Sequence, residues 1–130
     1  MFRTILVDDN PSFRRILKDN LHDLFPSMEI VEAADGTEAF QEIDFHPPDL
    51  IFMDVRLPGE NGLELTRRIK ADHPEVTVIV LTSYQSPEYR EAAIRYKADY
   101  FFSKDPISND EFITLVKSTV LKKAVRAEGS

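Results

Sequence analysis

Short apolar runs alternate with stretches of helical periodicity along the whole chain. The runs are Thr4–Val7, Met28–Ala33, Leu50–Met53, Val76–Leu81 and Tyr100–Phe102. Near-continuous apolarity over so few residues predicts strands covered on both faces, as in a parallel sheet. Between the runs, Phe13, Ile16, Leu17, Leu21 and Leu24 recur at three- and four-residue spacing, which predicts a helix with one apolar stripe. Phe112, Leu115, Val116 and Thr119 repeat the pattern near the C-terminus.

Start signals sharpen these boundaries. Asn10-Pro11 and Ser86-Pro87-Glu88 each put a capping side chain before a first-turn proline. Asp35–Glu38 and Ser108–Glu111 have capping-box spacing. Helices are therefore expected at 11–24, 36–45, 62–71, 87–96 and 109–125. Five strands, each followed by a helix, predict an α/β fold with a parallel sheet and right-handed crossovers. The domain is expected to span residues 1–122. Apolar periodicity is lost from about Lys122, so 123–130 is expected to be a frayed tail or the start of a linker.

Composition narrows the functional classes. With 130 residues, 42% hydrophobic and 30% charged, the chain fits one soluble globular domain. No apolar stretch nears the roughly 18 residues of a membrane span, and Asp8-Asp9 interrupts any leader-like run. A net charge of −7 argues against direct nucleic-acid binding. The absence of cysteine excludes disulfides and thiolate metal sites, and a cytoplasmic location is expected.

In an open α/β sheet, ligands bind beyond the carboxyl ends of the strands, so the tips matter most. The first strand ends in Asp8-Asp9, the third in Asp54, the fourth in Thr82-Ser83 and the fifth in Ser103-Lys104; the second ends in Ala33-Ala34-Asp35, a helix cap. Each tip has an ordinary reading alone: acids cap helices, Asp54 precedes a Pro-Gly turn, and lysines are usually solvated. Together they place three carboxylates at one edge, where like charges need a cation, and oxygen ligands select a hard one. His22, His46 and His73 have no ligand spacing and are expected at the surface.

This set, with Leu57-Pro58-Gly59-Glu60-Asn61-Gly62-Leu63-Glu64-Leu65 following Asp54, resembles the receiver domain of bacterial two-component response regulators over about residues 2–122. The resemblance implies a flavodoxin-like doubly wound (βα)5 sheet of strand order 2-1-3-4-5. It implies that Asp54 accepts a phosphoryl group from a sensor histidine kinase or phosphotransfer domain, making the chain a signalling switch and not a turnover enzyme. Mg²⁺ or Mn²⁺ would be held by Asp9, Asp54 and the backbone carbonyl of Arg56, with Asp8 acting through water. Lys104, the Thr82 hydroxyl and the Ser83 N–H would receive the phosphoryl oxygens. Thr82 would then move toward the phosphoryl group, Phe101 would fill the vacated space, and the surface over about 84–120 would change, with homodimerisation on phosphorylation as a possible readout. Lys97-Ala98 stands where the family usually has Gly-Ala, so that turn is expected to differ locally. Arg56 and Tyr84 flank the mouth of the site and are expected to set the dephosphorylation rate. The surroundings of Leu57–Leu65 and Lys104-Asp105 resemble receivers of DNA-binding regulators, which implies transcriptional output through a further domain. Two other classes compete: a metal-dependent aspartyl-phosphate hydrolase, which would need an acid where Arg56 stands, and a phosphorylation-independent binding module.

Overall fold

The computed structural model describes residues 1–83, 86–105 and 110–129. Strand β1 (Arg3–Val7) leads into α1 (Pro11–Leu24), then β2 (Glu29–Ala33), α2 (Gly36–Phe45) and β3 (Leu50–Asp54). A short hairpin, β4 (Arg56–Leu57) and β5 (Glu60–Asn61), precedes α3 (Gly62–Asp72). The chain closes with β6 (Thr77–Thr82), α4 (Pro87–Arg95), β7 (Tyr100–Ser103) and α5 (Asp110–Gly129). The five long strands form one parallel sheet in the order β2-β1-β3-β6-β7. With the hairpin set aside, that is the expected 2-1-3-4-5 order.

Alternation along the strands sorts the core into two layers. Ile5, Val7, Ile51, Met53, Val78 and Val80 face α2, α3 and α4, meeting Ala39, Ile43, Leu63, Ile69 and Ala93. Leu6, Leu50, Phe52, Ile79 and Leu81 face α1 and α5, meeting Leu17, Leu21, Phe112 and Val116. The Phe112 ring lies against Phe52, with centroids 5.8 Å apart, and edge-on to Phe102 at 5.7 Å. Truncating a fully buried side chain such as Phe52 in this layer costs about 3–5 kcal/mol.

The caps explain where helices begin. Asn10 accepts from the N–H groups of Ser12 and Phe13, and Pro11 takes the first helical position. Ser86 accepts from Tyr89 N–H ahead of Pro87. Asp35 accepts from Glu38 N–H as the capping-box spacing predicts, but Glu38 reaches one residue further back, to the N–H of Ala34. The Ser108–Glu111 box falls largely outside the described residues.

The last helix extends past its expected end at 125. α5 runs to Gly129. Helix propensity does not need an apolar stripe: Lys122, Lys123, Ala124, Arg126, Ala127 and Glu128 are all strong helix formers, and the first breaker is Gly129. At the end of α4, Lys97 adopts φ 69°, the left-handed conformation the family usually gives to glycine. Its neighbour Ala98 donates to Ala93 O at 2.9 Å, closing the helix in a Schellman pattern despite the cost of a Cβ.

Candidate functional site

Sheet register brings the strand tips together. Val7 pairs with Met53, Asp54 with Leu81, and Thr82 with Ser103. Asp8 therefore emerges beside Asp54, Thr82 emerges one residue further on, and Lys104 follows directly after the β7 pairing. The ladder continues past the strands: Asp8 N–H donates to Ala33 O at 3.0 Å and Lys104 N–H to Thr82 O at 2.9 Å.

Asp8, Asp9 and Asp54 each offer a carboxylate oxygen within 4.8 Å of the others'. Asp8 and Asp54 are 4% and 7% exposed, while Asp9 faces solvent. The Lys104 ammonium reaches this group from β7, 2.6 Å from Asp8 Oδ2 and 3.3 Å from Asp54 Oδ1. It also rests 4.5 Å from the centroid of the Phe13 ring, which fixes its approach from the α1 side. From α1, Arg14 donates to the backbone carbonyl of Asp8 while its Nε holds Glu32 at 2.9 Å. Asp8 Oδ1 in turn accepts from Asn10 N–H at 2.9 Å.

One ammonium does not balance three carboxylates. Burial, and after it the charge of Asp8, pushes the Asp54 carboxyl up from 3.8 to about 6; Lys104 and a backbone hydrogen bond from Arg56 pull the other way and do not prevail. Oxygen donors, close spacing and excess negative charge fit a hard divalent cation such as Mg²⁺ or Mn²⁺.

Gly62 supports the acid from below. A Cβ there would lie 1.8 Å from the backbone oxygen of Asp54, so α3 starts in direct contact with the strand end that carries the carboxylate. Gly62 N–H donates to Val55 O at 2.7 Å, and Asn61 caps α3 through Leu63 N–H. Between them, Pro58-Gly59 turns the hairpin, with Gly59 at φ 67°. Sequence reading missed this hairpin because two-residue strands carry no periodicity; the Pro-Gly pair was its only signal.

The remaining expected residues fall as follows. Thr82 is 2% exposed at the β6 tip and Ser83 is exposed beside it. Phe101 is half-buried, packs on the α4 side of the sheet, and has the Arg90 guanidinium 5.1 Å from its ring centroid. A groove of about 490 Å³ between α4 and β7, lined by Arg90, Ile94, Tyr100, Phe101 and Glu111, lies on that side and not at the acids. Arg56 is exposed on β4; Tyr84 lies outside the described residues. His22 and His46 are exposed and His73 is half-buried, none of them near the acidic group.

Arg3 was also overlooked, at the opposite end of the sheet. It is 3% exposed and ties β1 to Glu29 on β2 at 3.0 Å and to Glu42 on α2 at 3.1 Å.

A sequence profile of the response regulator receiver domain matches residues 4–117. The chain belongs to the receiver family. Receiver domains take phosphoryl groups from histidine kinases and bind Mg²⁺ at an acidic cluster. Among curated relatives, the chain is 35% identical over 109 residues to a response regulatory protein of Vibrio cholerae, covering 83% of this chain and 41% of that one. It is 39% identical over 97 residues to the oxygen regulatory protein NreC of Staphylococcus haemolyticus, covering 73% of this chain and 44% of that one. The chain thus spans less than half the length of these relatives. Among solved structures, it superposes with a TM-score of 0.84 and 28% identity on the N-terminal domain of a Wolinella succinogenes protein, covering 97% of this chain and 99% of that one. No described helix is long and apolar enough to cross a membrane.

Proposed function

We propose that this receiver accepts its phosphoryl group on Asp54. The observation that carries the reading is the pairing of a buried strand-end carboxylate with Asp8, Asp9 and Lys104 in one cleft. Asp9, Asp54 and the Arg56 backbone carbonyl would hold Mg²⁺ or Mn²⁺, with Asp8 acting through water; such an ion would neutralise the carboxylates and screen the incoming phosphoryl oxygens. An Asp54 oxygen attacks phosphorus, the bond from phosphorus to the donor's imidazole nitrogen breaks, and an acyl phosphate forms. Lys104 Nζ, the Thr82 hydroxyl and the Ser83 N–H supply fixed donors where the equatorial charge develops.

The signal leaves through Thr82 and Phe101. Thr82 is drawn toward the phosphoryl group, and Phe101 closes on the space behind it. Phenylalanine has no hydroxyl to bond when exposed, so this coupling works by packing. Turning such a switch from mostly off to mostly on takes roughly 3–5 kcal/mol of differential interaction. The donor is a sensor histidine kinase or a phosphotransfer domain in the cytoplasm, and phosphorylation favours a homodimer. A relative 35% identical over 101 residues, HptR of Staphylococcus aureus, is named a transcriptional regulatory protein, which supports transcriptional output through a further domain. The chain acts as a phosphoacceptor and not as a hydrolase, because position 56, where a hydrolase carries its acid, is arginine.

The test is to incubate the protein with a small acyl-phosphate donor and Mg²⁺ and weigh it intact. One added phosphoryl group is expected, absent from the Asp54→Asn protein. Continuous release of phosphate from many substrates would support the hydrolase instead.

A further inference from the structure

We infer that Glu60 is a positioning residue for the metal-binding loop, acting as a latch between the β4–β5 hairpin and the start of α2. This inference rests on the metal site proposed above. Glu60 lies opposite Leu57 in the hairpin, and Asn61 lies opposite Arg56. Its Oε2 accepts a 2.8 Å hydrogen bond from the backbone N–H of Gly36, the first residue of α2. That N–H is one of the helix-start donors with no partner inside the helix, and a carboxylate there is favoured by the helix dipole.

Gly36 leaves the space the latch needs. A Cβ at position 36 would come within 2.5–2.8 Å of the Glu60 carboxylate. Glycine therefore lets the carboxylate close on the backbone, and any side chain at 36 displaces it. The loop from Val55 to Asn61 is thereby held at two places: at its base by Gly62 N–H on Val55 O (2.7 Å), and at its far strand by Glu60 on α2. Arg56 sits between these anchors, two residues after Asp54. Releasing Glu60 frees the strand that fixes the direction of the Arg56 carbonyl, while Asp8, Asp9 and Asp54 keep their places.

The sequence around the acceptor does not announce this. Glu60 sits in a Pro-Gly turn where an acid reads as a solvated loop residue, and Gly36 reads as part of a helix start. Only the folded chain joins residues 24 positions apart.

The experiment is a Mn²⁺ titration of the full chain, followed by electron paramagnetic resonance, with amide hydrogen exchange of residues 55–61 measured on the metal-free protein. Glu60→Ala removes the latch. Gly36→Ala displaces it without changing charge. Glu60→Gln keeps an oxygen acceptor. The first two are expected to raise the Mn²⁺ Kd about tenfold, the low end for residues that orient metal ligands, and to speed exchange across the hairpin. Glu60→Gln is expected to stay within about threefold of the native Kd, since it retains the hydrogen bond. Native Kd and native exchange in both alanine variants would overturn the latch while leaving the metal site standing. Equal weakening in Glu60→Ala and Glu60→Gln with Gly36→Ala unchanged would also overturn it, by showing that only the charge of Glu60 matters. Failure of the native chain to bind Mn²⁺ at all would overturn the metal site and the latch together.

Discussion

Arg3 and Asp8 stand at opposite ends of β1, both nearly sealed from water, yet their surroundings differ in kind. The Arg3 guanidinium bonds to the carboxylates of Glu29 and Glu42 and to the backbone carbonyls of Glu42 and His46, at 3.0–3.2 Å. Its own N–H donates to Asp49 at 2.9 Å. That end of the sheet is closed: the buried charge is a cation with its partners in place, and the acids Glu29 and Glu42 around it reach solvent. At the other end, Asp8 shares a single ammonium with Asp54, and Asp9 adds a third carboxylate. A buried charge with a full set of partners is architecture. A buried charge whose neighbours repel it, and which raises the pKa of the acid beside it, marks a place where a ligand completes the structure.

Breaking the closed end should produce a large loss of stability. Arg3→Met removes the cation and leaves Glu29 and Glu42 without it. Because both acids are more than a third exposed, they rehydrate, and the expected loss is about 2–3 kcal/mol, below the full cost of orphaning a buried charge. Urea unfolding would measure it. Phosphorylation of the folded fraction should be unchanged, which separates the two ends of the strand.

The open end should respond with the opposite sign. Asp54 ionises at about 6 in the folded chain against 3.8 as its ordinary value. Between those values the folded protein holds a proton that the unfolded chain has released. Stability of the metal-free protein is therefore present below about pH 4 and lost as pH rises through 6, by up to about 3 kcal/mol. Asp54→Asn abolishes this loss, so at pH 8 without metal it should melt higher than the native protein, and the two should converge toward pH 4. A divalent cation must displace the same proton, so Mg²⁺ affinity should fall about tenfold per unit below pH 6; calorimetric titration at pH 5, 6 and 7.5 would show it.

A smaller effect is expected between the two ends. The Thr4 hydroxyl is fully buried in β1 and has no hydrogen-bond partner among the described residues. Thr4→Val keeps the shape and removes the unsatisfied group, and should stabilise the protein by about 1 kcal/mol in the same urea assay.

The contrast also shows what could be read before folding. The five long strands were legible because each is an apolar run with polar flanks, and a parallel sheet puts their tips at one edge; the strand order came from the resemblance to receiver domains. Asp8, Asp9, Asp54, Thr82 and Lys104 were legible for the same reason: each is the first or second polar residue past such a run. Arg3 was not, because a charge at the front of an apolar run looks like the solvated edge of a strand, and its partners lie 26 and 39 residues away. The Glu60–Gly36 bond was hidden in the same way. Lys97 taught a third lesson: an unfavourable backbone conformation is kept when the helix end around it is already closed by hydrogen bonds. Local pattern reveals strand tips; it does not reveal which distant side chain completes them.

The most direct test of the central claim is to locate the modification itself. The protein is treated with an acyl-phosphate donor, with and without Mg²⁺, cleaved at low pH, and its peptides weighed. The account predicts one phosphoryl group, on the peptide containing Asp54, formed only when the divalent ion is present. A phosphoryl group on any other peptide, or equal labelling of the Asp54 peptide without metal, would contradict it.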